Sequence, residues 1–265
     1  MDENPLLAEK KDRVLWITFN RPERRNALSP LLLFQLAELL NKVKQEDEVR
    51  CGVLRGAGDK AFSSGYDIGA IPAGVSPEVL EELRKKNPLE TALEAIQTFP
   101  YPVIAMINGV AFGAGCELAA ACDIRIAAES ARLGMPPAKL GLVYLPAGLL
   151  RFVNVVGLAQ AKEMFFTGRY YPVARAKEMG LVNYVIPDGQ LSDFTAEMAL
   201  EIAGNAPLSL RGMKTIFNSL LHYQKISPED LNAAQMLVAQ TLGSEDLKEG
   251  RKAFAEKRKP VFKGK

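Results

Sequence analysis

Histidine, tryptophan and cysteine are nearly absent from this chain of 265 residues, which has one His, one Trp and three Cys. The lone histidine, His222, lies in an amphipathic stretch near the C-terminus, a poor basis for a Ser-His-Asp triad or a histidine metal site. The cysteines Cys51, Cys116 and Cys122 are odd in number, sit in apolar segments and show no CxxC spacing. That pattern argues against a disulfide framework and against any metal site, and for buried thiols in a reducing compartment. No uninterrupted apolar run is long enough to span a bilayer. The first residues, MDENPLLAEKKD, lack the apolar stretch of a signal peptide, so a cytoplasmic protein without a membrane partner is expected. An excess of charge of one sign is missing too. With 33 Lys and Arg against 31 Asp and Glu, the net charge of +2 gives no whole-molecule footprint for nucleic acid. What remains is ordinary for a soluble globular domain with a sizeable core, at 48% hydrophobic and 24% charged residues.

Periodicity sets out the elements. Leu6 to Asn20 predicts a hairpin turning at Lys10-Lys11-Asp12. Ser29 is a good N-cap for a helix to about Gln45, and Val49 to Leu54 is a strand. Pro77 to Phe99 is helical with an interruption near Asn87-Pro88; Asp123 to Ala128 is a strand and Ala131 to Met135 an extended piece. From about Gly157 the pattern is mostly helical: Ala159 to Thr167, Val173 to Met179, Leu191 to Asn205, Ser209 to Tyr223, Pro228 to Gly243, and a last helix capped at Ser244. Strand-then-helix order without dinucleotide-fold glycines indicates parallel strands with helical crossovers.

Two segments carry chemistry. In PVIAMINGVAFGAGCELAAACD (Pro102 to Asp123) a buried strand ends at Asn108-Gly109, a small-residue hinge Gly113-Ala114-Gly115 follows, and an alanine-rich helix has one carboxylate, Glu117, in its first turn. Free amides and the positive end of a helix dipole converge at such a place and can hold an oxyanion. A tight strand-to-helix turn with a capping glutamate accounts for the same residues. In KAFSSGYDI (Lys60 to Ile68), Ser63-Ser64-Gly65 leads to Tyr66 after another strand, CGVLR. Two strand-ending loops, each offering one N–H, are the minimum for a two-donor oxyanion hole.

These two segments, with NRPERRNAL (Asn20 to Leu28) and the terminal AFAEKRKPVF, resemble the crotonase superfamily, also called the enoyl-CoA hydratase/isomerase family, over nearly the whole chain. The resemblance implies an α/β spiral of ββα units spanning 1–204 and a C-terminal helical trimerisation segment, 205–265. It implies an acyl-CoA thioester substrate, no cofactor beyond the CoA moiety, and a homotrimer or dimer of trimers. The amides of Tyr66 and Ala114 match the two oxyanion donors, the second in a position that often holds glycine. Gly65 and Gly113 precede them. Ala27, Ser64, Asp67 and Ile68 match residues along the adenine and pantetheine path, Arg25 a phosphate contact, and Phe254 and Lys257 the terminal pair that touches CoA from a neighbouring subunit. Asp67 is equally well explained as a turn or cap residue.

Glu117 matches the first of the two glutamates of true hydratases. Hydration needs two carboxylates sharing one water, and the slot of the second is Pro137. The run from Met135 to Tyr144, MPPAKLGLVY, resembles instead the methylmalonyl-CoA decarboxylase branch, whose functional tyrosine Tyr144 matches; that branch carries histidine at the position of Tyr66. Decarboxylation requires an electron sink and no second acid. Tyr144 would then orient the leaving carboxylate, and Glu117 would hold Tyr144 or manage the proton returned to the α-carbon. Tyr144 as plain core packing remains open. The expected activity is thus that of an acyl-CoA lyase, a decarboxylase foremost, with an enoyl-CoA hydratase/isomerase using Glu117 as the alternative. A non-catalytic CoA-binding or RNA-associated member is the third reading.

Overall fold

The computed structural model describes residues 4–46, 48–67, 87–221 and 226–264. The hairpin forms as expected: β1 (Leu6–Lys11) pairs antiparallel with β2 (Val14–Phe19), and the turn residues Asp12 and Arg13 both take positive φ. Helix α1 (Pro30–Val43) is capped by Ser29, whose Oγ accepts the Leu32 N–H at 3.3 Å. Strand β3 (Cys51–Gly56) then lies parallel to β2.

From here the chain winds as a spiral. Strand β3 joins one sheet and β4 (Ala61–Ser63) a second; after α2 (Pro88–Thr98), β5 (Val103–Ile107) returns to the first and β6 (Val110–Phe112) to the second. Helix α3 (Ala114–Ala121) follows, then β7 (Ile124–Ala128) and β8 (Arg132–Gly134) repeat the step. Two later strands, β9 (Tyr170–Pro172) and β10 (Tyr184–Ile186), complete a six-stranded sheet in the order β1-β2-β3-β5-β7-β10 and a four-stranded sheet β4-β6-β8-β9. Every turn of the spiral thus sends one strand to each sheet, which is the α/β architecture expected. Apolar residues on both faces of β5 and β7 are buried, as parallel strands covered on both sides require.

The helical half differs from the periodicity reading: strands β9 and β10 interrupt it, and its first helix begins early. Helix α4 runs Pro146–Thr167 and not from Ala159; it is two helices meeting at Gly157, which has φ 76° and ψ 162°. Pro146 occupies the first turn, where its missing N–H is harmless. After α5 (Val173–Glu178) come α6 (Leu191–Gly204), α7 (Pro207–Leu221), α8 (Pro228–Leu242) and α9 (Glu245–Ala255). Helix α7 is bolted to the spiral by Lys214, whose buried ammonium pairs with Asp123 at 2.7 Å and donates to the carbonyls of Ile96 and Tyr101. Helix α9 sits on the chain's own 3-10 turn Pro137–Leu140: a Cβ on Gly250 would lie 2.7 Å from the Leu140 carbonyl oxygen. Among the described residues no helix is long and apolar enough to cross a membrane.

Candidate active site

The NRPERRNAL loop is wired to the loop after β4. Ser64 N–H donates to the Arg25 carbonyl at 2.9 Å, and buried Asn26 donates to the carbonyls of Ala57 and Ala61. Asp67 pairs with buried Arg21 at 2.9 Å, and Arg21 also donates to the Ala27 carbonyl at 2.7 Å. Asp67 therefore clamps the two loops together through a buried ion pair, which is neither a turn nor a cap role. Arg25, Ala27 and Ser64 come together in this way; Arg25 is exposed, and its side chain makes no ion pair among the described residues. Ile68 lies outside the described residues.

Leu28 and Tyr66 form a parallel bridge that uses the amides of Leu28 (to Gly65 O, 2.9 Å) and Asp67 (to Leu28 O, 2.9 Å). Successive amides in an extended chain point to opposite sides, so the Tyr66 N–H points away from Leu28. The loop packed against this segment is the one carrying Ala114. At Gly65, with φ +109°, a Cβ would lie 2.8 Å from the Phe112 carbonyl oxygen and 3.8 Å from the Ala114 nitrogen. Only glycine allows both the backbone conformation and this approach. Gly113, the N-cap of α3, donates to the Gly134 carbonyl at 2.9 Å, which leaves Ala114 as the first helical residue, with one of the amides a helix start cannot satisfy itself. The two loops of the expected oxyanion hole are thus in contact, with two amides of the required kind.

Glu117 lies one turn into α3 and is 2% exposed. Its Oε1 accepts from Arg151 Nη1 at 2.6 Å, and Arg151 Nη2 stands 3.5 Å from Glu90 Oε1 on α2. Glu117 Oε2 is buried and has no hydrogen-bond partner among the described residues. The Tyr144 hydroxyl is close enough to favour the ionised carboxylate without making a well-shaped hydrogen bond to Oε2. Burial nonetheless dominates: it pushes the Glu117 carboxyl up to about 7, Glu90 adds to the rise, and Arg151 and Tyr144 oppose it. The same burial, reinforced by the Glu117 charge, raises the Tyr144 phenol well above its usual range. Tyr144 is half-buried and packs edge-on against Phe165 with centroids 5.3 Å apart. Gly148 fits between the partners, since a Cβ there would sit 2.8 Å from Tyr144 Cδ1 and 3.1 Å from Glu117 Oε1. Neighbouring Cys116 is pushed up to about 12 by burial, so it offers no thiolate.

Arg151, Glu90 and Gly148 escaped the sequence reading. A single cation within the apolar run PAGLLRFVNVV was the available signal for the first. Pro137 is buried at the start of the 3-10 turn Pro137–Leu140 and brings no carboxyl. Phe254 and Lys257 lie at the end of α9 and just past it, on the helix seated against this chain's own 137–140 turn. The Lys257 ammonium makes no hydrogen bond to another site residue among the described residues.

Residues 9–265 match the family model described as enoyl-CoA hydratase/isomerase. The chain belongs to that family. It is 32% identical to the short-chain-enoyl-CoA hydratase of Clostridium acetobutylicum over 272 aligned positions, covering 98% of this chain and 97% of the relative. It is 33% identical to the methylmalonyl-CoA decarboxylase of Escherichia coli over 254, covering 96% and 95%. Among solved structures, a methylmalonyl-CoA decarboxylase in complex with 2-nitronate-propionyl-CoA superposes with a TM-score of 0.90 at 32% identity, covering 99% of both chains. Family membership is common to relatives that carry out hydration and relatives that carry out decarboxylation.

Proposed function

We propose that this family member decarboxylates a malonyl-type acyl-CoA thioester, of which methylmalonyl-CoA is the model substrate. The observation that carries this reading is the isolation of Glu117: the slot of a second acid is a buried proline, and one Glu117 oxygen is already taken by Arg151. Water activation by a carboxylate pair lacks its second member at that slot, and the other carboxylate near Glu117 among the described residues, Glu90, is turned to Arg151. Loss of CO2 needs none. The electron pair of the breaking Cα–carboxylate bond moves into the thioester, the enolate oxygen is held by the amides of Tyr66 and Ala114, and CO2 departs. Each donor of such a hole contributes about 3–4 kcal/mol of transition-state stabilisation. The α-carbon then takes one proton, and Glu117, pushed up to about 7 by burial, is placed to carry it. Tyr144 orients the leaving carboxylate. The likeness to the decarboxylase fold supports the same reading.

A second reading, double-bond isomerisation, is favoured by Glu117 Oε2, which has no partner among the described residues, since one carboxylate oxygen can carry a proton between two carbons. Under either, the CoA moiety lies along Arg25, Ala27, Ser64 and Gly65, with Phe254 and Lys257 closing over it. We also assign the exposed apolar residues of α7 and α8, Leu208 (79%), Phe217 (66%) and Met236 (66%) among them, to a three-fold interface formed by the segment 205–265.

The deciding experiment is product analysis on malonyl-, methylmalonyl-, ethylmalonyl-, crotonyl- and 3-enoyl-CoA. Release of CO2 from a malonyl-type thioester, with slow crotonyl-CoA hydration, is expected, and Tyr144→Phe should slow only the carboxylated substrates. Fast hydration with no decarboxylation of any malonyl analogue would overturn the proposal.

A further inference from the structure

Arg151 grips Glu117 by one contact only. A guanidinium facing a carboxylate commonly forms a two-bonded fork, but here Nη1 meets Oε1 at 2.6 Å while Arg151 Nε and Glu117 Oε2, both buried, have no partner among the described residues. The other end of the guanidinium leans towards Glu90, at 3.5 Å, whose side chain is half-exposed. One carboxylate oxygen is fixed, its twin is left open, and the cation is shared with a second carboxylate at the edge of the site.

We propose that Arg151 and Glu90 are positioning residues for proton transfer: together they hold Glu117 by Oε1, leave Oε2 as the proton-carrying oxygen, and balance its charge so that it can take up and give up a proton at neutral pH. This rests on the proposed function in taking Glu117 as the group that returns a proton to the α-carbon. A buried carboxylate held by an unshared guanidinium at this distance would stay ionised and have no proton to give. Glu90 loosens that hold in two ways, by drawing on the same cation and by repelling the Glu117 charge. Among the described residues, the charged or ionisable groups facing Glu117 come from three places: helix α4 contributes Arg151, the segment before it Tyr144, and α2 contributes Glu90. Strands β4 (Ala61–Ser63, AFS) and β6 (Val110–Phe112, VAF), which also pack on α3, carry no ionisable side chain. Opposite signs at Arg151 and Glu90 mean that removing one should move Glu117 in the direction opposite to removing the other; a pair that merely stabilised the fold would leave the pH limb of proton exchange at the α-carbon where it was.

The test is a titration of the Glu117 carboxyl by 13C NMR on glutamate-labelled protein, its signal assigned by its loss in Glu117→Gln. Arg151→Met should raise the midpoint by about one pH unit or more, Glu90→Gln should lower it, and Arg151→Lys should stay near the unmodified protein. Deuterium exchange at the α-carbon of propionyl-CoA gives the second readout, and its pH limb should follow the same order. Midpoints that stay put, or that move the same way in Arg151→Met and Glu90→Gln, would overturn the inference. Should Arg151→Met fail to fold, Glu90→Gln alone decides, by the sign of its shift. Neither readout needs decarboxylation. Absent CO2 release with opposed shifts therefore overturns the proposed reaction alone, and CO2 release with fixed midpoints overturns this inference alone.

Discussion

Replacing Glu117 by glutamine should remove a specific pH dependence from the stability of the fold. Burial raises the carboxyl from an ordinary 4.5 to about 7 in the folded chain, against the pull of Arg151 and Tyr144. Below pH 4.5 the group is neutral whether the chain is folded or not, and its burial carries no charge penalty. Above the folded value it is ionised in both states, and the folded chain bears the full cost of a buried anion. Between them the unfolded chain releases the proton first, so stability falls as pH rises. Taking 7 minus 4.5 as about 2.5, at 1.36 kcal/mol for each, the loss is about 3 kcal/mol between roughly pH 4.5 and 7. Urea unfolding at a single protein concentration across this range, for both proteins, would measure it. The unmodified protein should lose about 3 kcal/mol more than Glu117→Gln. Parallel stability curves would refute the reasoning: Arg151 would then be holding Glu117 ionised throughout, leaving it no proton to supply at neutral pH.

Gly148→Ala places a methyl against Tyr144 and Glu117 Oε1, and should cost about 1–3 kcal/mol by overpacking. It should also lower kcat more than it raises KM, because it displaces the proton-handling groups and spares the CoA contacts; an unchanged kcat would place the Glu117–Tyr144 pair outside the chemistry. Lys257→Ala should weaken CoA binding, and more so at low salt, where an exposed charge counts most; affinity unchanged across a salt titration would sink that assignment. Sedimentation at micromolar concentration should give a trimer or a multiple of one, and a monomeric mass would reject the interface assigned to α7 and α8.

Legibility from sequence followed the length and solitude of each signal. The β1–β2 hairpin, α1 behind Ser29 and β5 ahead of Asn108-Gly109 are long, regular and bounded by residues with known turn or cap chemistry, so their positions could be read directly. The second sheet showed only in β8, the extended piece at Ala131 to Met135. Its strands AFS and VAF are three residues each, too short for any period to show, and YYP ends in a proline. For the same reason the spiral leaves no repeat in the sequence, and its presence was expected only from family resemblance. The first half of α4 was missed because Pro146, Gly148 and Gly157 are loop signals, overridden here by packing: Phe152 and Val156 are buried in the core. Arg151 was lost with it. Its contact with Glu117 spans 34 positions and two helices, a distance over which spacing carries no information.

The features that departed from a hydratase's pattern are physically consistent with one another. A second carboxylate in place of Pro137 would add a like charge to a site where Glu117 already sits at about 7, and would drive it further towards the neutral form. With proline there, and Glu90 drawn to Arg151, the further anion that can join Glu117 is the substrate's own. On the proposed reading, a malonyl-type carboxylate entering the acyl pocket acts as that like charge and loads Glu117 with a proton as it binds. Departure of CO2 then shifts the negative charge to the thioester oxygen, between the amides of Tyr66 and Ala114. The charge that favoured the protonated acid has moved away at the moment the α-carbon becomes basic, so Glu117 gives up its proton there and is recharged from solvent. The Arg151–Glu90 pair keeps this cycle within reach of neutral pH: too strong a cation would deny Glu117 its proton, and too weak a one would leave it unable to release it.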